Sequence, residues 1–193
     1  MIGFAMCGSY CTHARALAAL SCLRAQGREI LPILSERAAS TDTRFGTAAA
    51  LRQSLLALTG RQPIVTVTEA EPLGPAAPLE ALILAPCTGG TLAKLASGIT
   101  DSSVTMAAKA HLRCDRPLLI ALASNDALSA NLSSIARLVT RRGVYFVPLR
   151  QDDPRGKPHS LVAEFEKIPE ALAAMERGES LRPLFLEPAR DRI

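Results

Sequence analysis

Tryptophan is absent, and aromatic residues make up only 4% of the 193 positions. So few flat rings leave no stacking platform for single-stranded nucleic acid. Lys and Arg form no dense run, and the formal charge is only +4. That balance permits an anionic ligand and argues against nucleic acid as a partner. No apolar stretch approaches the roughly 20 residues that a bilayer span needs, so no membrane association is expected. Met1 to Cys7 is apolar, but no basic segment precedes it and no small-residue cleavage site follows. It reads as a first buried strand, which places the chain in the cytoplasm. The five cysteines, Cys7, Cys11, Cys22, Cys87 and Cys114, are odd in number and scattered, unlike a disulfide framework. No CxxC pair and no paired histidine motif occurs, so no metal is expected. The thiols read as small buried groups in a reducing compartment. The dinucleotide fingerprint GxGxxG is also missing. No Ser/His/Asp order and no carboxylate pair is set by spacing, and no catalytic residue is assigned.

What is present is an ordinary globular composition, 48% hydrophobic and 21% charged. Short apolar runs alternate with helical patterns. Strands are expected at Ile2–Cys7, Glu29–Leu34, Pro63–Val67, Ala81–Ala85, Pro117–Ala123 and Val144–Pro148. Helices are expected at Ala14–Gln26, Thr47–Leu58, from the turn after Ala85 to Ser97, and at Ser103–Arg113, Ala130–Thr140 and Pro169–Arg177. The stretch Glu69–Pro78 reads as a loop, and so does polar Arg150–Ser160. This order implies an α/β fold, a three-layer α/β/α Rossmann-like or flavodoxin-like open, mostly parallel sheet of about six strands. Residues 1–182 read as a single domain and 183–193 as a C-terminal tail.

Ligands of such sheets sit beyond the carboxyl ends of the strands. Those ends offer Gly8 and Ser9, then Ser35, then Cys87, Thr88, Gly89, Gly90 and Thr91, then Ser124, Asn125 and Asp126. Small, hydroxylated and amide residues allow backbone N–H groups and a helix N-terminus to approach a phosphate without a lysine. Each element alone reads equally as a turn or an N-cap; their recurrence at several strand ends is what favours a site. His13 falls in a first helical turn, His111 reads as structural, and Asp101, Lys94 and Lys109 read as capping or solvated groups. Arg44, in the TDTRFG loop, reads either as a bidentate carboxylate clamp or as a surface arginine. The loop Gln151–His159 is a lid or a plain connection.

The segment APCTGGTLAKLASGITDSSVTMAAKAHL, Ala85–Leu112, resembles the signature of the homo-oligomeric flavoproteins. These include phosphopantothenoylcysteine decarboxylase, peptidyl-cysteine decarboxylases and flavin prenyltransferases. Pro86–Thr91 matches their PASANT or PCSxxT turn, with Gly89-Gly90 in place of Ala-Asn and its amide. GFAMCGSYCTH, TDTRFG, EAEPLGP, PLLIALASNDALSAN and YFVPLRQDDPRGKPHSLV resemble, in order, the dipicolinate-forming branch of that family. The resemblance implies bound FMN and a homo-oligomer built on trimers with flavin at subunit interfaces. It implies that Gly8, Ser9 and Ser35 line the cofactor, that Cys87, Thr88, Gly89 and Thr91 lie at its phosphate region, and that Ser124 and Asn125 approach its ring or the substrate. It further implies oxidation of a reduced precursor to an aromatic pyridine dicarboxylate in a spore-forming bacterium, with NAD(P) on a dehydrogenase-like partner subunit. Arg44, Arg150 and Lys157 are the expected partners of the substrate carboxylates. The alternatives are a prenyltransferase or decarboxylase of the same family, and a non-catalytic regulatory or scaffolding subunit.

Overall fold

A computed structural model describes residues 1–76 and 79–187. The expected loop positions 77–78 and the tail positions 188–193 lie outside the described residues. The elements are β1 (Ile2–Met6), α1 (His13–Ala25), β2 (Ile30–Leu34), α2 (Glu36–Ser40), α3 (Ala48–Thr59), α4 (Val67–Ala70), β3 (Ala81–Cys87), α5 (Gly89–Ser97), α6 (Ser103–Leu112), β4 (Leu118–Ser124), α7 (Leu132–Val139), β5 (Val144–Phe146), β6 (Leu149–Arg150), β7 (Leu161–Ala163) and α8 (Ile168–Glu176).

Hydrophobicity on both faces explains the centre of the sheet. Every residue of β1 and β3 is buried, as strands covered by helices on each side require. The order is β2-β1-β3-β4, all parallel, with β5 parallel to the first half of β4. The far end of β4 pairs antiparallel with β7, and β7 with β6. Thus seven strands stand among the described residues where about six were expected. The polar stretch 150–160 links the two strands of a short hairpin that extends the sheet beside the carboxyl end of β4. Within β3 the register shifts between Leu84 and Cys87, and the Ala85–Pro86 peptide there is cis.

One expected strand is not formed. Of Pro63–Val67, only Ile64 bridges the sheet, to Ile33. Thr66 then starts α4 through a capping box, its hydroxyl taking the Glu69 N–H while Glu69 Oε2 accepts the N–H groups of Val65 and Thr66. Those two amides, bound to a carboxylate, cannot serve a strand ladder. Part of the expected loop after it is also ordered, as α4 and a 3₁₀ turn over Glu71–Leu73. Beyond α8, Leu186 donates its N–H to the Leu149 carbonyl, so described residues past 182 lie against β6.

His111 is buried in α6, with Nε2 2.8 Å from the Pro117 carbonyl and Nδ1 buried without a partner. Desolvation is the main cause that holds its pKa below 6.5, and the Arg116 charge adds to it. A depressed folded-state pKa contributes stability that is present above the unfolded pKa and is lost as pH falls through the folded one. Unfolding free energy from urea titrations should therefore fall as pH drops below about 6.5. His111→Gln, which keeps an Nε2–H donor but cannot titrate, should flatten that slope; an unchanged slope would remove His111 from the account.

Candidate functional site

The carboxyl ends of β1, β2, β3 and β4 meet on one edge, and two clefts open there. The first has a volume of about 810 Å³ and is walled by Gly8, Ser35, Arg37, Thr88, Thr91 and Lys94, among others. The second has a volume of about 580 Å³ and is walled by Ser9, Arg15, Gly89, Ser124, Asn125 and Lys157, among others. Thr88 and Gly90 line both, so the turn after β3 is the partition.

That turn is held by a relay of small polar groups. Thr88 caps α5, its Oγ1 accepting the Thr91 N–H at 3.2 Å and donating to Thr91 Oγ1 at 3.0 Å. Thr91 Oγ1 donates on to Cys7 Sγ at 3.3 Å, tying the end of β1 to the start of α5. Capping leaves the N–H groups of Gly89 and Gly90, the first two of the helix, without intrahelical acceptors. Gly98, at φ 73°, closes the same helix in a left-handed conformation that suits glycine. A Cβ on Gly89 would stand 2.1 Å from Asn131 Oδ1 and 2.5 Å from Ser124 Oγ, so a side chain there would have to displace one of them.

The neighbouring ends are equally defined. Ser9 has φ 62°, uncommon for a residue with a side chain, and its carbonyl accepts both the N–H and the hydroxyl of Thr12. Ser35 caps α2 by accepting the Ala38 N–H. Ser103, buried at the head of α6, donates its hydroxyl to the Leu34 carbonyl at 2.6 Å and its N–H to Glu36 Oε1 at 2.9 Å. That fixes the α2 carboxylate beside the first cleft. His13 Nε2 lies 2.8 Å from the Cys7 carbonyl, and desolvation lowers the imidazole's pKa.

The cationic groups are mostly engaged. Lys94 pairs with Asp101 at 2.7 Å and Lys157 with Asp152 at 3.2 Å. Arg15 lies 5.2 Å above the Phe165 ring and meets Glu166 at 2.7 Å and Glu164 at 3.4 Å; Arg150 takes the other Glu164 oxygen at 2.6 Å. Of the residues expected to hold substrate carboxylates, Lys157 lines the second cleft, whereas Arg150 and Arg44 line neither. Arg44 rests 4.8 Å over the Phe45 ring on the exposed 41–47 loop. Cys87 is buried at the end of β3 and lines neither cleft. The remaining expected residues, Gly8, Ser9, Ser35, Thr88, Gly89, Thr91, Ser124 and Asn125, each line one cleft or both. Arg15, Arg37 and Asn131 also line the clefts and were not anticipated. They lie on or beside helices, where sequence shows no strand-end signal. Among the described residues no group of three or more His, Cys, Asp or Glu side chains could hold a metal ion, and no helix is long and apolar enough to cross a membrane.

A family model described as flavoprotein matches residues 2–177. The chain belongs to the flavoprotein family. The B subunit of dipicolinate synthase from Bacillus subtilis (strain 168) is 38% identical over 186 residues, covering 96% of this chain and 93% of that protein. The crystal structure of the corresponding B subunit from Bacillus halodurans C superposes with a TM-score of 0.89 at 36% identity, over 97% of this chain and 96% of the other. A dodecameric FMN-dependent UbiX-like decarboxylase from Escherichia coli O157:H7 shares the fold, with a TM-score of 0.62 at 18% identity over the whole of both chains. The two-cleft edge is thus built on a flavoprotein scaffold.

Two outcomes are expected of the site. Gly89→Ala must displace Asn131 or Ser124, and overpacking of this kind costs about 1–3 kcal/mol; a denaturant midpoint equal to that of the parent would show the turn has slack. Burial pushes the Cys7 thiol up to about 11 and the Cys87 thiol well above its ordinary value. Iodoacetamide at about pH 8 should therefore label the exposed Cys11 and Cys22 of the folded chain and spare Cys7 and Cys87, read by peptide mass spectrometry.

Proposed function

We propose that this chain is the FMN-binding subunit of a dipicolinate synthase. In this reading it works with the enzyme's nicotinamide-dependent partner, the A subunit, to oxidise a reduced pyridine-dicarboxylate precursor to dipicolinate during sporulation. The observation that carries the reading is the partition at Thr88–Gly90, where open helix amides meet two adjoining clefts, in a chain so similar along its length to the B subunit of that enzyme. The residues fit FMN. Two unbonded N–H groups at the head of a nine-residue helix suit a phosphate. The first cleft exceeds the few hundred Å³ that a bound cofactor requires.

The roles follow from position. Gly89 and Gly90 amides, with the Thr88 and Thr91 hydroxyls, hold the phosphate end; Gly8 and Ser35 line the path of the cofactor. Ser9, Ser124 and Asn125 face the neighbouring substrate. Bound flavin would supply two-electron redox chemistry there, with NAD(P) on the partner subunit as the final acceptor. Lys157, released from Asp152, meets one substrate carboxylate. Arg44, on an exposed loop, and Arg150 serve the second carboxylate where loops and copies come together in a trimer-based homo-oligomer. The dodecameric relative of the same fold supports such an assembly. The domain of 1–182 carries all of these groups.

The visible spectrum of the purified chain, and FMN titration of the apoprotein, test the cofactor. Bound or readily acquired FMN is expected. A chain that neither carries nor takes up FMN would make a structural or regulatory role the better account. Adding the nicotinamide-dependent partner and precursor should then yield the aromatic product only when this chain is flavin-loaded. Thr91→Val removes the relay from Thr88 to Cys7 at similar volume, and losing one such bond should weaken FMN about 3- to 10-fold with the fold intact. Unchanged affinity would move the phosphate away from this turn.

A further inference from the structure

Two carboxylates line the second cleft, Asp126 and Asp152. Asp152 sits on the hairpin loop next to another acid, and the two do different work. Asp153 braces the loop: its carboxylate accepts the Gly156 N–H at 2.8 Å and its carbonyl accepts the Lys157 N–H at 2.8 Å. The Gln151 amide donates to the Pro158 carbonyl, and the Leu128 N–H to the His159 carbonyl, so the loop is tied within itself and to the segment before α7. The Asp152 carboxylate is instead at the cleft, 3.2 Å from Lys157 Nζ, and both side chains are partly exposed. Arg15, the other cation lining this cleft, is held by Glu166 and Glu164. Burial raises the Asp152 pKa, but two neighbours outweigh it and hold the carboxyl below its usual value: the Ser160 hydroxyl, itself buried and without a well-formed hydrogen bond, and the Lys157 ammonium.

We infer that Asp152 is the catalytic base of the oxidation, set free when a substrate carboxylate takes Lys157 from it. The inference rests on the proposed reading of the second cleft as the dicarboxylate side. Aromatising a dihydropyridine ring removes one hydride and one proton, and the two need different acceptors. The hydride leaves a ring C–H bond with its electron pair and reduces an oxidised flavin or nicotinamide. The proton leaves a ring C–H or N–H for an Asp152 oxygen, and the electron pair of that bond stays behind to complete the aromatic ring. The pyridine, the reduced cofactor and a neutral Asp152 result. A carboxylate paired with an ammonium is a weak base; losing the ammonium and meeting a second anion both raise its affinity for a proton. A partly exposed pair exchanges at little cost, so the incoming dicarboxylate can make the swap. The base is thus activated by the molecule on which it acts.

The test separates binding from turnover. The full chain and its Asp152→Asn variant, each with and without FMN, are titrated with pyridine dicarboxylate by calorimetry in buffers of different ionisation enthalpy. In the parent the Asp152 pKa rises on binding, so protons are taken up and affinity increases as pH falls from about 8 to about 6. In Asp152→Asn that uptake should disappear. The variant should also bind the dicarboxylate about 2- to 5-fold more tightly, because nothing competes for Lys157, and this tightening shows that it is folded. Oxidation of the reduced precursor, with the nicotinamide-dependent partner added, should nevertheless fall about 10²- to 10⁴-fold. A loop-bracing role alone predicts the opposite pattern, with binding and turnover weakened together. Weaker binding in Asp152→Asn, proton uptake that persists in it, retained turnover, or a greater loss of turnover in Asp126→Asn would each overturn the inference while leaving the dicarboxylate reading in place. A parent chain that binds no pyridine dicarboxylate under either condition would remove that reading itself, and the role of Asp152 with it.

Discussion

The close approach of the turn after β3 to the start of α7 is the constraint on which the site depends. Gly89 can approach Ser124 and Asn131 only because it has no side chain. That approach separates the edge into two clefts instead of one trough. The register shift in β3 between Leu84 and Cys87 sets where the turn begins, and the Thr88–Thr91–Cys7 relay holds it against β1. None of these contacts is strong alone. Each is a neutral hydrogen bond or a steric limit worth about 1 kcal/mol or a little more. They act together because the two buried strands beneath them cannot shift: every position of β1 and β3 is packed, and close-packed interiors transmit displacement.

The charges around the clefts follow a consistent pattern. Of the described cations that line the clefts, Lys94, Arg15 and Lys157 each already have a carboxylate. Partly exposed pairs of this kind contribute about 0–1 kcal/mol, so a ligand anion exchanges them at little cost. The turn itself presents only amides and hydroxyls. An anion placed here would meet fixed dipoles at the partition and exchangeable cations at the rims. This division suits a site where a cofactor stays and a dicarboxylate comes and goes.

Much of this was legible in the sequence. Runs such as ALILA and LLIALA have no polar face, so they belong in the middle of a covered sheet. Small hydroxylated residues at their carboxyl ends marked the edge where the clefts open. Two kinds of feature were not legible. Pro63–Val67 carries strand-like residues, but the Thr66–Glu69 capping box takes two of its amides, and a local carboxylate outcompetes a distant ladder. The hairpin of β6 and β7 hides in a polar stretch because its strands are only two and three residues long, too short for alternation to show. Arg15 and Asn131 escaped notice for a different reason. A helical residue reaches a site only through the angle at which its helix packs, and periodicity does not carry that angle.

The hairpin also explains why the second cleft differs from the first. β7 lies antiparallel against the last residues of β4, with Ala123 opposite Val162 and Ser124 opposite Leu161. The strand end that would otherwise face solvent is therefore walled by a segment from far along the chain. Its connecting loop carries Asp152 and Lys157 to the rim. Glu164, just beyond β7, is shared between Arg150 on β6 and Arg15 on α1. The network fastens the hairpin to the helix that begins near Ser9. The first cleft has no such wall: its outer side is formed by α2 and the residues leading into α6, joined by Ser103 to Leu34 and Glu36. One cleft is therefore bounded by helix ends that Ser103 ties together and the other by paired strands. In the proposed function the substrate takes the side walled by the hairpin, and the cofactor the side built from helix ends.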